Sequence, residues 1–157
     1  MTRKGALERV KQGQELVCVR NVNRYYSDKP DTLVKFQKMI DSCECCFCGE
    51  VDNVSVGETT HWRVVHNIFL YTGARLHLLI LPRRHVTKMS ELTPGEFLDF
   101  SEAVRLAEKS FPMLRNGYGV AWRQGEHGGV TVMHLHVHLI CPKLGRKGQA
   151  TVNFGIG

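Results

Sequence analysis

No stretch of this 157-residue chain approaches the run of about 18 apolar residues that a membrane-spanning helix needs, so no membrane partner is expected. The first ten residues, Met-Thr-Arg-Lys-Gly-Ala-Leu-Glu-Arg-Val, lack the apolar core of a secretory leader, and a cytoplasmic location is expected. There is no internal repeat and no low-complexity tract. Acidic residues are outnumbered, 15 against 21 basic, which gives a net charge of +6 and a pI near 9.1. That balance suits a polyanion, yet aromatic and basic residues do not interleave as they do on nucleic-acid surfaces. Basic residues are scattered, with one modest cluster at Lys143, Arg146 and Lys147. The charge is read as steering for phosphates at most, and nucleic acid is not expected as a partner.

What is present is ordinary for a globular domain, with 43% hydrophobic and 23% charged residues, enough for one modest core. The stretch that organises the rest is Met133-His134-Leu135-His136-Val137-His138-Leu139-Ile140. Its strict alternation predicts a β-strand, with His134, His136 and His138 on one face and Leu135, Val137 and Leu139 in a core on the other. Alternate residues on a strand lie roughly 6.6 Å apart, so three imidazoles would line one groove. Such a row suits nucleophilic catalysis, proton transfer or metal binding better than it suits packing.

Six cysteines are unevenly placed, at Cys18, Cys43, Cys45, Cys46, Cys48 and Cys141. Four within six residues are too tightly clustered for a disulfide framework and read as metal ligands. Two Cys-x-x-Cys pairs overlap, Cys43/Cys46 and Cys45/Cys48, and either supplies only two of the four ligands of a tetrahedral site. Redox chemistry is the competing reading, although no thioredoxin-like pattern surrounds the pair.

Residues 1–42 are expected to be an accessory helical segment, with helices near 6–20 and 31–40, and 143–157 a basic tail. Between them, residues 43–142 predict a catalytic domain. Strands are expected over Arg63–Tyr71 and Leu76–Pro82, joined by a turn at Thr72-Gly73-Ala74. A long helix opens with Thr93 as N-cap, Pro94 at N1 and Glu96 completing a capping box. Phe97, Phe100, Val104, Ala107 and Phe111 form its expected core stripe, and Pro112 ends it. A further strand, Tyr118–Trp122, and the glycine-rich loop 123–129 lead into the histidine strand. The class implied is α+β: an antiparallel sheet of about five strands with one long helix across it, plus the N-terminal helical extension.

From Cys45 to Pro142 the chain resembles the zinc-containing members of the histidine triad family. The likeness rests on Cys45-Cys46-Phe47-Cys48, on His77 to Pro82 followed by His85, on Leu92-Thr93-Pro94-Gly95-Glu96, and on the triad itself. It implies an antiparallel sheet acting on nucleotides as a homodimer, with a structural Zn2+ held by Cys45, Cys48, His85 and His134. His136 would be the nucleophile that attacks the α-phosphorus and forms a nucleotidyl-histidine intermediate. His138 and His77 would flank the phosphate. Backbone N–H groups of Gly128 and Gly129 and the hydroxyl of Thr131 would cradle it, and Asn67 would contact the ribose, with Ile68 and Phe69 beside the base.

The chain also departs from the family pattern. Gly129-Val130-Thr131 lacks the glutamine that many hydrolases of the family carry there, and no acidic ribose-binding residue matches. Asn67 and the Gly128-Gly129 pair look more like the diadenosine tetraphosphate phosphorylase branch. The resemblance thus implies hydrolysis or transfer of a nucleoside monophosphate from a phosphoanhydride or phosphoramidate, with phosphate as the alternative acceptor. A nucleotide- or partner-binding module without turnover is the reading from another class, and zinc at the triad itself is a third.

Overall fold

The computed structural model describes residues 45, 47–48, 54–67, 69–125, 127–144 and 152. The two expected N-terminal helices, Cys18, Cys43, Cys46, Ile68, Arg146 and Lys147 lie outside the described residues. Five strands form one sheet: β1 (Ser55–Glu58), β2 (Trp62–His66), β3 (Ala74–Pro82), β4 (Gly119–Trp122) and β5 (Val137–Pro142). Their spatial order is β1-β2-β3-β5-β4, and every neighbouring pair is antiparallel. One long helix, α1 (Pro94–Ser110), lies between β3 and β4 in sequence and packs on β1, β2 and β3. The α+β expectation holds. Among the described residues, no helix is long and apolar enough to cross a membrane.

Alternation along the strands separates the two faces of the sheet. Trp62 and Val64 of β2, Leu76, Leu78 and Ile80 of β3, and Val137, Leu139 and Cys141 of β5 share a core with Ala103 and Ala107 of α1. The opposite face carries Val65, Leu79 and Leu81, packed with Phe47 and Val132. Because β3 is central and both faces are covered, all but one of its nine residues are buried, which explains its nearly unbroken apolar sequence.

Several expected boundaries are corrected. β2 stops at His66 rather than Tyr71, because Asn67 turns the chain: its Oδ1 accepts from the Phe69 N–H at 3.1 Å. β1, a short edge strand, is an addition to the expected set. The histidine stretch is strand only from Val137, so His134 and His136 precede β5 in extended chain. Their sidedness survives, since Leu135 is buried in the helix-side core with Val137 and Leu139. The helical stripe holds at four of its five positions: Ala107 is buried in the core and Phe100, Val104 and Phe111 pack against it, with Ala103 and Glu96 buried beside them, whereas Phe97 is 51% exposed.

The start of α1 is built as expected, with one addition. Thr93 accepts from the Glu96 N–H, and the Glu96 carboxylate accepts from the Thr93 N–H and hydroxyl at 2.8 and 3.0 Å. Arg84, from the loop after β3, then clamps both oxygens of Glu96 at 2.9 Å. The Arg84 guanidinium and the capping bonds hold the Glu96 carboxyl down at about 2, well below the usual range. Trp62 donates its indole N–H to the Glu96 carbonyl at 2.7 Å, so the helix start is fastened to β2 as well. Replacing Glu96 with Ala strands the capping donors and frees the loop, and should cost about 2 kcal/mol. Urea unfolding checks this. Thr93→Ala, which loses one cap bond, should cost about half as much.

Candidate active site and metal centre

The sheet face opposite α1 collects the histidines. On the central rungs, His138 of β5 lies between Leu79 of β3 and Ala121 of β4, and His77 lies opposite Ile140. Antiparallel neighbours on one rung share a face, so these pairings place His77 and His138 together. His77 Nε2 and His138 Nδ1 are 2.8 Å apart, and the rings lie 5.1 Å apart between centroids. The Asn67 amide lies 3.2 Å from both ring nitrogens of His77, and the Tyr71 N–H donates to Nδ1 at 3.4 Å, so Nδ1 is the acceptor. His77 therefore donates from Nε2 to His138 Nδ1, which leaves the proton of His138 on Nε2. The ring of Tyr71 stacks on His138 at 5.4 Å and fixes its plane.

His136 sits next to this pair, with its ring centroid 5.0 Å from that of His138. Its Nδ1–H donates to the backbone carbonyl of His134 at 2.7 Å. The proton is thus on Nδ1 and the lone pair on Nε2. All three imidazoles are buried, and burial is the first cause of their shifted titration. It pushes His77 and His136 down to about 4 and His138 well below its ordinary value. The Arg123 guanidinium adds to the shift in all three, and the histidines lower one another. The site is a set of neutral, oriented rings.

His134 turns away from this row. Its Nε2–H donates to the Pro82 carbonyl at 2.9 Å, which leaves Nδ1 facing Cys45 Sγ at 3.3 Å and Cys48 Sγ at 3.5 Å. His85 Nδ1 lies 3.1 Å from Cys48 Sγ. The four ligand atoms of Cys45, Cys48, His85 and His134 fall within 4.8 Å of one another, so this group can hold a metal ion. Two sulfurs and two imidazole nitrogens are the donor set of a four-coordinate structural zinc site, and a backbone carbonyl behind an imidazole is the usual orienting device for such a ligand. The cysteines come from a tight turn closed by the Cys48 N–H on the Cys45 carbonyl at 3.0 Å. Desolvation and the adjacent Cys45 push the Cys48 thiol up to about 11, a direction that a bound cation would reverse. His85 is held from both sides. Arg84 before it is clamped by Glu96, and the Val86 carbonyl after it accepts from the Leu135 N–H at 2.7 Å.

The remaining expected residues are nearby. Gly129 has φ 76° and Gly125 φ 66°, conformations that favour glycine, and a Cβ on Gly128 would collide with the Gln124 carbonyl. The turn is therefore tight, and the partly buried Thr131 follows it. Asn67 is buried, with its amide on His77 and on the Phe69 carbonyl at 3.1 Å. Sequence reasoning passed over Phe47, Tyr71 and Arg123. Phe47 meets His134 and His136 edge-on at 5.9 and 5.5 Å and so separates the metal group from the row. Its place inside the cysteine motif was the available signal. Tyr71 and Arg123 had none.

A five-stranded antiparallel sheet backed by one helix, with a buried histidine row beside a Cys2His2 group, defines a narrow class of protein. Residues 48–144 match the HIT domain, and the chain belongs to the HIT, or histidine triad, family. Over 95 residues it is 35% identical to an uncharacterized HIT-like protein of Chlamydia trachomatis, covering 59% of this chain and 83% of that one. It is 37% identical over 68 residues to the asymmetrical bis(5'-nucleosyl)-tetraphosphatase of Schizosaccharomyces pombe, covering 41% of this chain and 36% of that enzyme. Its fold is similar to that of a histidine triad nucleotide-binding protein from Candida albicans, with a TM-score of 0.59 and 24% identity over 73% of this chain and 82% of that one.

A pH dependence of stability follows from the neutral rings. His77 titrates near 4 in the folded protein and near 6.5 unfolded, so the unfolded chain takes up more protons between these values. Its contribution is complete above pH 6.5 and is lost as pH falls towards 4. Urea midpoints measured from pH 7.5 to 4.5 should fall, and the fall should be shallower in His77→Gln, which has no ring to protonate. Parallel curves for the two proteins would contradict this assignment.

Proposed function

We propose that the protein is a hydrolase or transferase that passes a nucleoside monophosphate through His136. The observation that carries this reading is the 2.7 Å bond from His136 Nδ1–H to the His134 carbonyl, which presents the Nε2 lone pair of a neutral imidazole. Nε2 attacks the α-phosphorus, an N–P bond forms, and the P–O or P–N bond to the leaving group breaks with its electron pair. Water, or another acceptor, then attacks the phosphorus from the opposite side, and the lone pair returns to Nε2 while the acceptor's proton passes to solvent. His138, oriented by His77, donates from Nε2 to a phosphoryl oxygen, and prior placement of all three rings removes an entropic part of the barrier. Gly128, Gly129 and Thr131 line the phosphate side. Asn67 borders the pocket towards the ribose.

In the same reading the Cys45, Cys48, His85 and His134 group holds zinc in a structural role, since its shell closes with protein ligands alone. Edge strand β4 bears the exposed Val120, and the exposed Phe97 stacks on Trp122 of that strand. This apolar border supports a homodimer joined along that edge.

Diadenosine tetraphosphate and adenosine monophosphoramidate serve as test substrates. His136→Ala should reduce turnover of both by about a thousandfold or more, with the melting curve and metal content unchanged. Release of ADP only when phosphate is added would select phosphate as the acceptor. Nucleotide binding by wild type with no turnover would overturn the enzymatic reading in favour of a binding module. As purified, the protein should carry about one zinc per chain, and Cys45→Ser should lose it and unfold at lower temperature. Metal retained in Cys45→Ser and lost in Cys43→Ser would move the site to the other cysteine pair.

A further inference from the structure

Arg123 follows the last residue of β4 and lies between the two halves of the site. One Nη donates to the Gly129 carbonyl at 3.2 Å, and the other donates to the Tyr71 hydroxyl. The guanidinium lies 5.9 Å from the centroid of the Tyr71 ring, whose plane is stacked on His138. A single side chain thus spans the glycine turn and the aromatic wall of the histidine row. From Gln124 to Gly129 the sequence of the turn has no Lys or Arg and one acidic residue, Glu126. The side chain after Gly129 is Val130, which is buried and apolar. The histidines are neutral, so they bring hydrogen bonds and no net charge. Through the Tyr71 hydroxyl and ring, Arg123 is joined to His138, whose ring lies 5.0 Å from that of His136. A guanidinium remains charged at every accessible pH, and its planar fork matches phosphate oxygens.

We propose that Arg123 is the specificity-determining cation of this site and selects nucleotides whose leaving group is itself a phosphate chain. The inference rests on the nucleotidyl-transfer reading above. A phosphoramidate carries one phosphate and releases an amine, which offers a distal cation nothing to hold. A polyphosphate brings several negative charges, and its leaving group departs as an anion whose added charge a fixed guanidinium stabilises in the transition state. The half-buried position, backed by the aromatic ring, screens this attraction less than a surface position would. Arg123 also fastens the glycine turn, so a charge effect must be separated from a loop effect.

Three variants and two readouts make that separation. In Arg123→Gln, kcat/KM should fall about a hundredfold on diadenosine tetraphosphate and less than about fivefold on adenosine monophosphoramidate. Arg123→Lys, which keeps the charge without the fork, should recover much of the first loss, and Arg123→Met should recover none. Equal losses on both substrates, or no recovery with lysine, would overturn the proposal and leave Arg123 a loop anchor. Binding gives an answer independent of turnover. Titrations of AMP, ADP and ATP into the full chain should tighten with each added phosphate, more so at low salt. In Arg123→Gln that series should be flat. A flat series in wild type, or an unchanged one in Arg123→Gln, would overturn the proposal, whereas a steep wild-type series with no turnover would overturn only the enzymatic reading.

Discussion

The geometry of the site depends on the backbone at His134. Its ring is fixed by donation to the Pro82 carbonyl and turns its other nitrogen to the two sulfurs. Its carbonyl accepts the Nδ1 proton of His136. One residue therefore belongs to the metal group through its side chain and orients the neighbouring imidazole through its main chain. The peptide planes between the two residues transmit any displacement, because φ and ψ are their only soft dihedrals. The residues that can hold a metal ion and the row of buried rings thus share one segment of main chain.

The rest of the fold braces that point from two directions. Across the sheet, β3 delivers His77 to the row and ends at Pro82, whose carbonyl holds His134. Beyond β3, the loop carrying His85 is clamped by the Arg84–Glu96 pair to the first turn of α1, and α1 is bonded through Trp62 to β2. Glu96 is buried and paired with a half-exposed Arg84. Removal of Arg84 costs more than the pair contributes, because the buried Glu96 carboxylate would be left with fewer donors. The helix on one face of the sheet thus reaches the site on the other through a polar chain as well as through the core.

Sequence reading found the parts of this arrangement that obey a short-range rule. The capping box at Thr93, the break at Pro112 and the sidedness of Leu135, Val137 and Leu139 follow from periodicity and local chemistry, and all appear in the structure. The strand boundaries were less legible. Alternation continues through chain that has no ladder partner, so His134 and His136 looked like strand residues although the chain bends at His134, whose carbonyl accepts from the His136 ring. β2 was drawn too long because Asn67 ends it through a side-chain bond that apolar neighbours hide. Phe97 matched a helical stripe by spacing, but a helix on a narrow sheet buries fewer residues than its apolar pattern offers. Tyr71 reaches His138 from one loop and Arg123 reaches Tyr71 from another, and no periodicity within either loop encodes that meeting.

Under the proposed function, the neutrality of the rings also decides where attraction for an anionic substrate would arise. A histidine row at pH 7 is often pictured as a positive surface, and in solution each ring would carry a fraction of a charge. Here burial and mutual proximity remove that charge from His77, His136 and His138 alike. A neutral ring keeps its lone pair, which nucleophilic attack requires, but cannot by itself draw a polyanion out of water. The two requirements conflict on one residue, because protonation that would attract the phosphate would also silence the nucleophile. They are compatible when the charge resides on a group that never titrates, such as a guanidinium, and the lone pair on a group kept from titrating by burial. Arg123 and His136 stand in that relation, and the same guanidinium helps hold His136 neutral.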